Sequence, residues 1–530
     1  MKLRAISLTL ILTACYGDVC EEFFDGNCPG NGGTGAAGAT GGTGGVGADG
    51  GTGGNMGGTG GDGGTGGMMP GCELADGMEV GSDCGVFVGT TSGAGALGSK
   101  SNPYLNLPDA LANLTASADI YVCNDFTETG SFTIPDGVRI FGKLSCGTYA
   151  YDPASTGPLF TSTPSNPVFR VEGDATLFGI RANATTATNM GANAIGVLVT
   201  GGTLELTESA VTVAAGSLGA NGAAPVDAMA PSGAVGTVGT AGCDGSSATN
   251  LGGPGGPASA CLVSTDAGDG GDGGNGLNNT EGTDGTTGGP NGTGGALGTK
   301  QTAGAPCGDG MSSGTVMHGG TGMAVAALGS LNAAAPYYQV PATEQADEGI
   351  SGKGGGGGGG GKQCAPGSAG PGGGGGGAGG CGGLGGNSGA SGGASLGVVL
   401  LGASELELTD STVTAGGGGV GGGGALGQLG GSAGGPGGNG TGNANGVACD
   451  GGPGVDGGNG GPGAAGPGGP SAALVREFSA QMVTLNGMND LNHGPSAAPG
   501  TPAPGGLAGS SGLTCMASEI LTFETADCEL

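Results

Sequence analysis

Two stretches of the chain alternate apolar and polar residues with a period of two, and they are copies of one another. Ile195 to Val213 reads IGVLVTGGTLELTESAVTV, and Leu396 to Ala415 repeats it as LGVVLLGASELELTDSTVTA with one inserted residue, Glu405. A shorter third copy, REFSAQMVTL, runs from Arg476 to Leu485. Aligned, the copies match Glu205 with Glu407 and Glu477, Leu206 with Leu408 and Phe478, Val211 with Val413 and Val483, and Thr212 with Thr414 and Thr484. Alternation puts the Leu and Val positions inside and the glutamates outside, as a half-buried strand requires. The richness in Val and Thr excludes a helix. A strand pair that returns after a long detour is the pattern of a stacked repeat whose insertions leave from one face.

Between Cys84 and Cys146 the pattern predicts a helix and then short strands. Pro108 and Asp109 suit a helix start, and Leu107, Leu111 and Leu114 fall on one face through to about Ser117. Ile120 to Val122, Phe132 to Ile134 and Val138 to Phe141 read as strands between turn residues. Gly98, Lys100, Pro103 and Tyr104, with the stretch IYVCNDFTETGSFTIPDGVRIFG, resemble the start of right-handed parallel β-helix proteins of the pectin-lyase-like type. In that family a G-K-x-x-P-Y stretch and an amphipathic helix cap the first coil. The resemblance covers Cys84 to Thr212 with later fragments. It implies an all-β fold: a right-handed parallel β-helix (solenoid) with an N-terminal capping helix and long Gly-rich loop insertions.

Glycine changes the picture everywhere else. There are 142 Gly and 28 Pro in 530 residues, with no Trp, 11 Phe and 7 Tyr, so any core is thin and repetitive. Two glycine-dense insertions, 216–393 and 416–471, separate the copies; the first contains GKGGGGGGGGK and a further strand candidate, MAVAALGSL, from Met323 to Leu331. Such segments bury too little apolar surface to offset their ordering entropy unless they pack against the strands or one another. In composition these tracts look like the PE-PGRS proteins of mycobacteria, although the helical N-terminal domain of that family is absent. Ahead of Cys72, Gly recurs at every third position from Gly32 to Gly53 and, shifted by one, from Gly54 to Gly66. No Pro lies between Pro29 and Pro70, which argues against collagen. Two readings remain there, a flexible stalk, which we adopt, or three-residue-per-turn glycine helices packed side by side. The expected division is therefore a leader (1–14), a stalk (15–71), the capping helix and first coils (72–215), an insertion (216–393), one coil (394–415), an insertion (416–471), and a last coil with a C-terminal cap (472–530).

The first fifteen residues, MKLRAISLTLILTAC, place Lys2 and Arg4 before an apolar run from Ala5 to Leu12 and end on Cys15, the layout of an export leader. Leu12-Thr13-Ala14-Cys15 resembles the lipobox of bacterial lipoproteins, which implies cleavage before Cys15, acylation of its thiol, and a membrane held through that N-terminal lipid anchor. Tyr16 follows in place of an Asp, which points to the outer membrane or cell surface. Of the 15 cysteines, setting Cys15 aside leaves an even number that can pair in an oxidising compartment. Neighbours in sequence are the disulfide candidates: Cys20 with Cys28, Cys72 with Cys84, Cys123 with Cys146, Cys243 with Cys261, and Cys515 with Cys528.

Net charge of −31 repels phosphate backbones and excludes nucleic acid as partner. His318 and His493 stand apart, and there is no CxxC pair to hold zinc. Parallel β-helices of the resembled type often act on acidic polysaccharides, through calcium-binding carboxylates and a basic residue, or through paired acids. The bases within reach of such chemistry are Arg139, Lys143, Arg170 and Arg181, with Asp136, Glu172 and Asp174 nearby. Alternation turns Arg170 and Glu172 outward together as a surface pair, so no residue is assigned a catalytic role. Glu205, Glu407 and Glu477 would approach one another if their coils stack, and calcium could bridge them. The stretch GGDGGNGLN, Gly270 to Asn278, matches a calcium-binding nonapeptide once, and that motif works only in tandem. The expected function is a non-catalytic cell-surface lipoprotein, a structural or adhesive scaffold displaying glycine-rich loops to a surface polysaccharide or protein ligand; a polysaccharide lyase or hydrolase is the alternative.

Overall fold

The computed structural model describes residues 72–530 apart from 92–94, 96, 115–118, 186–187, 246, 279–280, 290–293, 324–327, 341–343, 444, 514, 516–518 and 530. The leader, Cys15, the pair Cys20 and Cys28, and the stalk lie outside the described residues. Everything below concerns the unit Met68–Leu530.

Strands visit three sheets in rotation. The first sheet is β1 (Val86–Val88), β2 (Asp119–Cys123), β5 (Val138–Leu144), β8 (Ala175–Phe178), β11 (Gly202–Thr207), β16 (Ser404–Thr409) and β19 (Val483–Asn486), in that order. The second runs β4 (Phe132–Ile134), β7 (Phe169–Val171), β10 (Ala194–Val199), β15 (Ser395–Leu400), β18 (Ser471–Arg476) and β21 (Ile520–Thr522), and is closed by the antiparallel strand β22 (Asp527–Glu529). The third holds β3 (Thr127–Thr129), β6 (Leu159–Thr161), β9 (Arg181–Ala184), β12 (Ala210–Val213), β17 (Thr412–Thr414) and β20 (Asp490–Asn492). A hairpin of β13 (Ser330–Leu331) and β14 (Tyr338–Gln339) stands by itself. The one described helix, α1 (Leu107–Ala112), starts where Asn106 caps the Asp109 amide and Pro108 sits in the first turn, and buries Leu107 and Ala110. It ends at Ala112, short of the sequence expectation.

This arrangement corrects the expected fold class. In place of a single all-β right-handed solenoid with loops hanging from it, the strands are shared among separate sheets of mixed parallel and antiparallel pairing, an α/β-like arrangement of sheets. Of the expected extra coil at Met323 to Leu331, residues 324–327 lie outside the described residues, while Ser330 and Leu331 pair antiparallel with Gln339 and Tyr338.

The repeated stretches do lie beside one another. Ile195 pairs with Leu396, Glu205 with Glu407, Leu206 with Leu408 and Val211 with Val413, all parallel. Ile120, Ile140, Leu177, Leu206 and Leu408 form one continuous inward row, each fully buried. Burying such a side chain contributes about 1.5–3 kcal/mol. On the opposite face Phe87, Tyr121 and Phe141 stack with ring centroids 5.4 and 5.3 Å apart. The additional residue of the second copy is not Glu405, which pairs with Thr203. It falls in the turn between the pairs Val199/Leu400 and Gly202/Ser404, where it leaves both strands in phase; inside a strand it would have turned every later side chain to the wrong face.

The third copy sits elsewhere than its sequence alignment suggests. Arg476 pairs with Leu400, Val483 with Leu406, Thr484 with Glu407 and Leu491 with Val413. Glu477 therefore follows a strand of the second sheet and does not join the Glu205/Glu407 row.

In the two insertions the described glycine-rich segments are ordered helices of three residues per turn, packed side by side. Amides of Gly216, Gly219 and Gly222, and then of Ala230, Gly233, Gly236, Gly239 and Gly242, donate to the carbonyls of Gly417, Val420, Gly423, Leu429, Ser432, Gly435, Gly438 and Thr441. The step of three on both segments defines a threefold helix. In the run Gly354 to Gly361 all three faces are bonded: Gly355 and Gly358 donate to Gly377 and Gly374, Gly354, Gly357 and Gly360 to Gly289, Thr286 and Thr283, and Gly356 and Gly359 to Met311 and Gly308. Its carbonyls accept from three further segments, through Gly271 and Gly274, Gly295 and Gly298, and Gly452 and Cys449. Six neighbours leave no direction free for a Cβ, which is why Gly is unbroken here. A segment with one open face reads G-G-x: in Gly451 to Asn459 the glycines are buried while Pro453, Asp456 and Asn459 are exposed.

Three disulfides tie this array together across long separations: Cys243–Cys364, Cys261–Cys381 and Cys307–Cys449. The expected Cys243–Cys261 pair is thereby corrected, because neighbours in a bundle are not neighbours in sequence. Cys72–Cys84, Cys123–Cys146 and Cys515–Cys528 are bonded as short loops.

Candidate functional site

The outer face of the first sheet gathers Arg139, Glu205 and Glu407 from among the charged residues that sequence singled out. Parallel register lines up Asp119, Arg139, Thr176, Glu205, Glu407 and Thr484 across six strands. A shallow groove of about 380 Å³ runs along this row, lined by Arg139, Asp174, Thr176, Thr203, Glu205 and Glu407.

Arg139, which lines the groove, and the other candidate cations are each already engaged. Arg139 donates through Nε and Nη2 to both oxygens of the buried Asp119 at 2.7 and 2.8 Å, and its guanidinium lies 5.7 Å from the Phe141 ring centre. The Nε and Nη2 donors of Arg139 are thereby occupied within the protein as a fork on one carboxylate. Lys143 donates to Glu208 at 2.9 Å, and the Tyr151 hydroxyl donates to the same oxygen at 3.1 Å. Burial, together with the charge of Glu208, pushes the Tyr151 phenol up to about 12, which removes it as a base at neutral pH. Arg170 pairs with Glu172 at 3.2 Å, and Arg181 Nε donates to the Gly157 carbonyl at 3.0 Å. Arg139, Arg170 and Arg181 thus serve three separate local contacts.

The acids act as acceptors for backbone. Asp136 accepts the amide of Asp174, Asp174 accepts that of Thr203, and Asp410 accepts that of Met488, each binding one turn to the next. Glu205 and Glu407 are direct neighbours, one strand spacing or roughly 4.8 Å apart. Glu205 accepts from the Thr176 hydroxyl at 2.9 Å. Glu477 instead accepts the Gly402 amide at 3.0 Å, so the three-glutamate calcium site is not assembled. Among the described residues one group of three ligand-type side chains comes close enough for an ion, Cys515, Glu519 and Cys528, and its two sulfurs are bonded to each other. The nonapeptide candidate is structural as well: Asp272 accepts the Gly255 amide and Asn275 the Gly252 amide, both at 2.9 Å. His318 accepts the Asn459 amide through Nδ1, and the Nδ1 of His493 lies 2.7 Å from the Gly494 carbonyl.

One class of functional residue was missed in the sequence. Asp, Asn and Thr at the x positions of the glycine segments complete the hydrogen bonding of the array edge, where no further helix lies alongside. Asp456 accepts from Ala433, Asp450 from Asn439, Asn459 from Gly430 and Asp284 from Lys300. These acidic residues of the insertions are therefore an edge finish for polyglycine, and their trace was the recurrence of Asp and Asn three residues apart. No family model, no curated protein and no solved structure matches this chain.

Proposed function

We propose that the chain is a non-catalytic scaffold of the bacterial surface, exported and held through a lipid on Cys15, whose glycine array supplies a stiff body for display or adhesion. One observation carries this reading: Gly354 to Gly361 is bonded on every side, so the glycine segments build a solid bundle, where an enzyme of this size would use its inserted segments to wall a cleft. The committed cations of the groove agree with it. Among the described residues, six disulfides mark an oxidising, extracytoplasmic environment and no helix is long and apolar enough to cross a membrane. An acyl chain on Cys15 would be one such anchor, strengthened by a second chain or a partner.

Two experiments test the address and the activity. Palmitate supplied to producing cells labels the wild-type chain and leaves Cys15→Ala unlabelled and released from the membrane fraction; equal labelling of both chains contradicts the anchor. Purified protein incubated with uronate polymers releases no unsaturated or reducing ends, and turnover abolished by Arg139→Ala would replace the scaffold with the enzyme.

A further inference from the structure

The glycine array presents one flat face of aliphatic side chains. Segments 229–242 and 429–441 run parallel, bonded at every third residue, and along each of them one series of every third residue carries exposed apolar side chains. On the first segment this series is Met229, Ser232, Val235 and Val238; on the second, with its extension toward residue 420, it is Val420, Leu426, Leu429 and then Gly435 and Gly438. Met229, Val235 and Val238 are 50%, 62% and 65% exposed, and Leu426 and Leu429 are 55% and 49% exposed. Val235 lies over Gly435 and Val238 over Gly438, which makes the face a shallow relief of ridges and glycine troughs. Apolar patches of this kind mark association surfaces.

Charge selects the occupant. The chain carries net −31, yet no Asp, Glu, Lys, Arg or His occurs between Asp227 and Asp244 or between Asp410 and Asp450. Asp456 and Asp450 reach segment 429–441 at the Ala433 and Asn439 amides, and the two segments themselves carry no charge, so an acidic molecule meets its own copy with the least repulsion over their aliphatic side chains. We infer that this face binds the same face of a second copy of the chain, in a twofold, self-complementary pair. The inference extends the scaffold reading by giving the scaffold a lateral contact, and it stands apart from the lipid anchor and from catalysis.

Light scattering on the full-length Cys15→Ala chain, which no lipid tethers to a micelle, measures it directly. Molar mass rises with concentration toward twice that of the chain, and the association tightens at least severalfold as salt is raised from low to physiological strength, because screening relieves the repulsion of the remaining surfaces. Val235→Glu combined with Leu429→Glu abolishes the rise while leaving the melting temperature unchanged, since both side chains are exposed. Met311→Glu combined with Met317→Glu, on a different segment of the array, keeps it. A wild-type mass that stays monomeric at every concentration overturns the inference, as does a dimer that survives the first pair of substitutions or is lost with the second. A monomer that binds phospholipid vesicles through Val235 and Leu429 also overturns it, in favour of a lipid surface, without bearing on the uronate assay.

Discussion

Gly434→Ala is expected to destabilise the protein by about 3 kcal/mol, while the same change one residue later, Gly435→Ala, is neutral or stabilising by up to about 1 kcal/mol. A Cβ at Gly434 would lie within the van der Waals envelope of the Ala234 carbonyl, with the Ala378 amide close behind it. Both are backbone atoms locked in the array, because Gly434 itself donates to Ala378 and Gly233 donates to Ser432. Relief therefore requires two segments to part and several bonds of the ladder to lengthen together. A Cβ at Gly435 meets nothing closer than Val235 Cγ1 at 3.9 Å, and alanine there restricts the unfolded chain at no cost to the folded one. Gly437 and Gly438 repeat the contrast three residues on. Urea midpoints for the four single variants decide the matter: a severe, mild, severe, mild sequence is expected, and four equal values would mean that these segments are loops.

The second large effect belongs to the long-range disulfides. Cys243–Cys364, Cys261–Cys381 and Cys307–Cys449 close stretches of 121, 120 and 142 residues, against 12 for Cys72–Cys84. Loop closure by the chain-entropy argument is worth about 5 kcal/mol for each of the former and about 3 kcal/mol for the latter. The difference is amplified by composition, since glycine loses more freedom on folding than any other residue and a polyglycine bundle has few apolar side chains to compensate. Replacing Cys307 and Cys449 together by Ala is expected to melt the array well before the sheets. Far-ultraviolet dichroism and disulfide-specific melting curves report this as a transition split in two, whereas Cys72→Ala with Cys84→Ala shifts one transition by a smaller amount. A single transition displaced equally by either pair would show that the three long-range bonds do not hold the array.

Register between the first two copies was legible because both strand pairs carry the same alternation and the additional residue falls in a turn, where phase is preserved. The third was not, for a physical reason: its true partner strand, Ser471–Arg476, shares only small and aliphatic residues with Ser395–Leu400, while the segment after it, Glu477 to Met482, imitates the repeated motif without forming a strand. Disulfide pairing could be read where the closed loop is short and failed for Cys243 and Cys261, whose spatial neighbours lie a whole insertion away. The number of covered faces was written in the chain all along, as unbroken Gly for an enclosed helix and G-G-x for an edge. Which segment neighbours which was not, because any G-G-x window fits any other in three registers. The candidate calcium residues show the same limit. Glu205 and Glu407 are neighbours as alignment suggested, whereas Glu477 follows the second-sheet strand Ser471–Arg476 and Thr484 takes the place beside Glu407.

Whether polyglycine forms a bonded interior is measured most directly by amide hydrogen exchange in the native protein. Peptides spanning Gly354 to Gly361 and Gly372 to Gly383 are expected to retain their protons as long as those covering Leu204 to Thr207, since each enclosed amide opens only when its six-neighbour packing is lost. Exchange of those glycine amides within seconds, at the rate of an open chain, while the strands stay protected, would contradict the account.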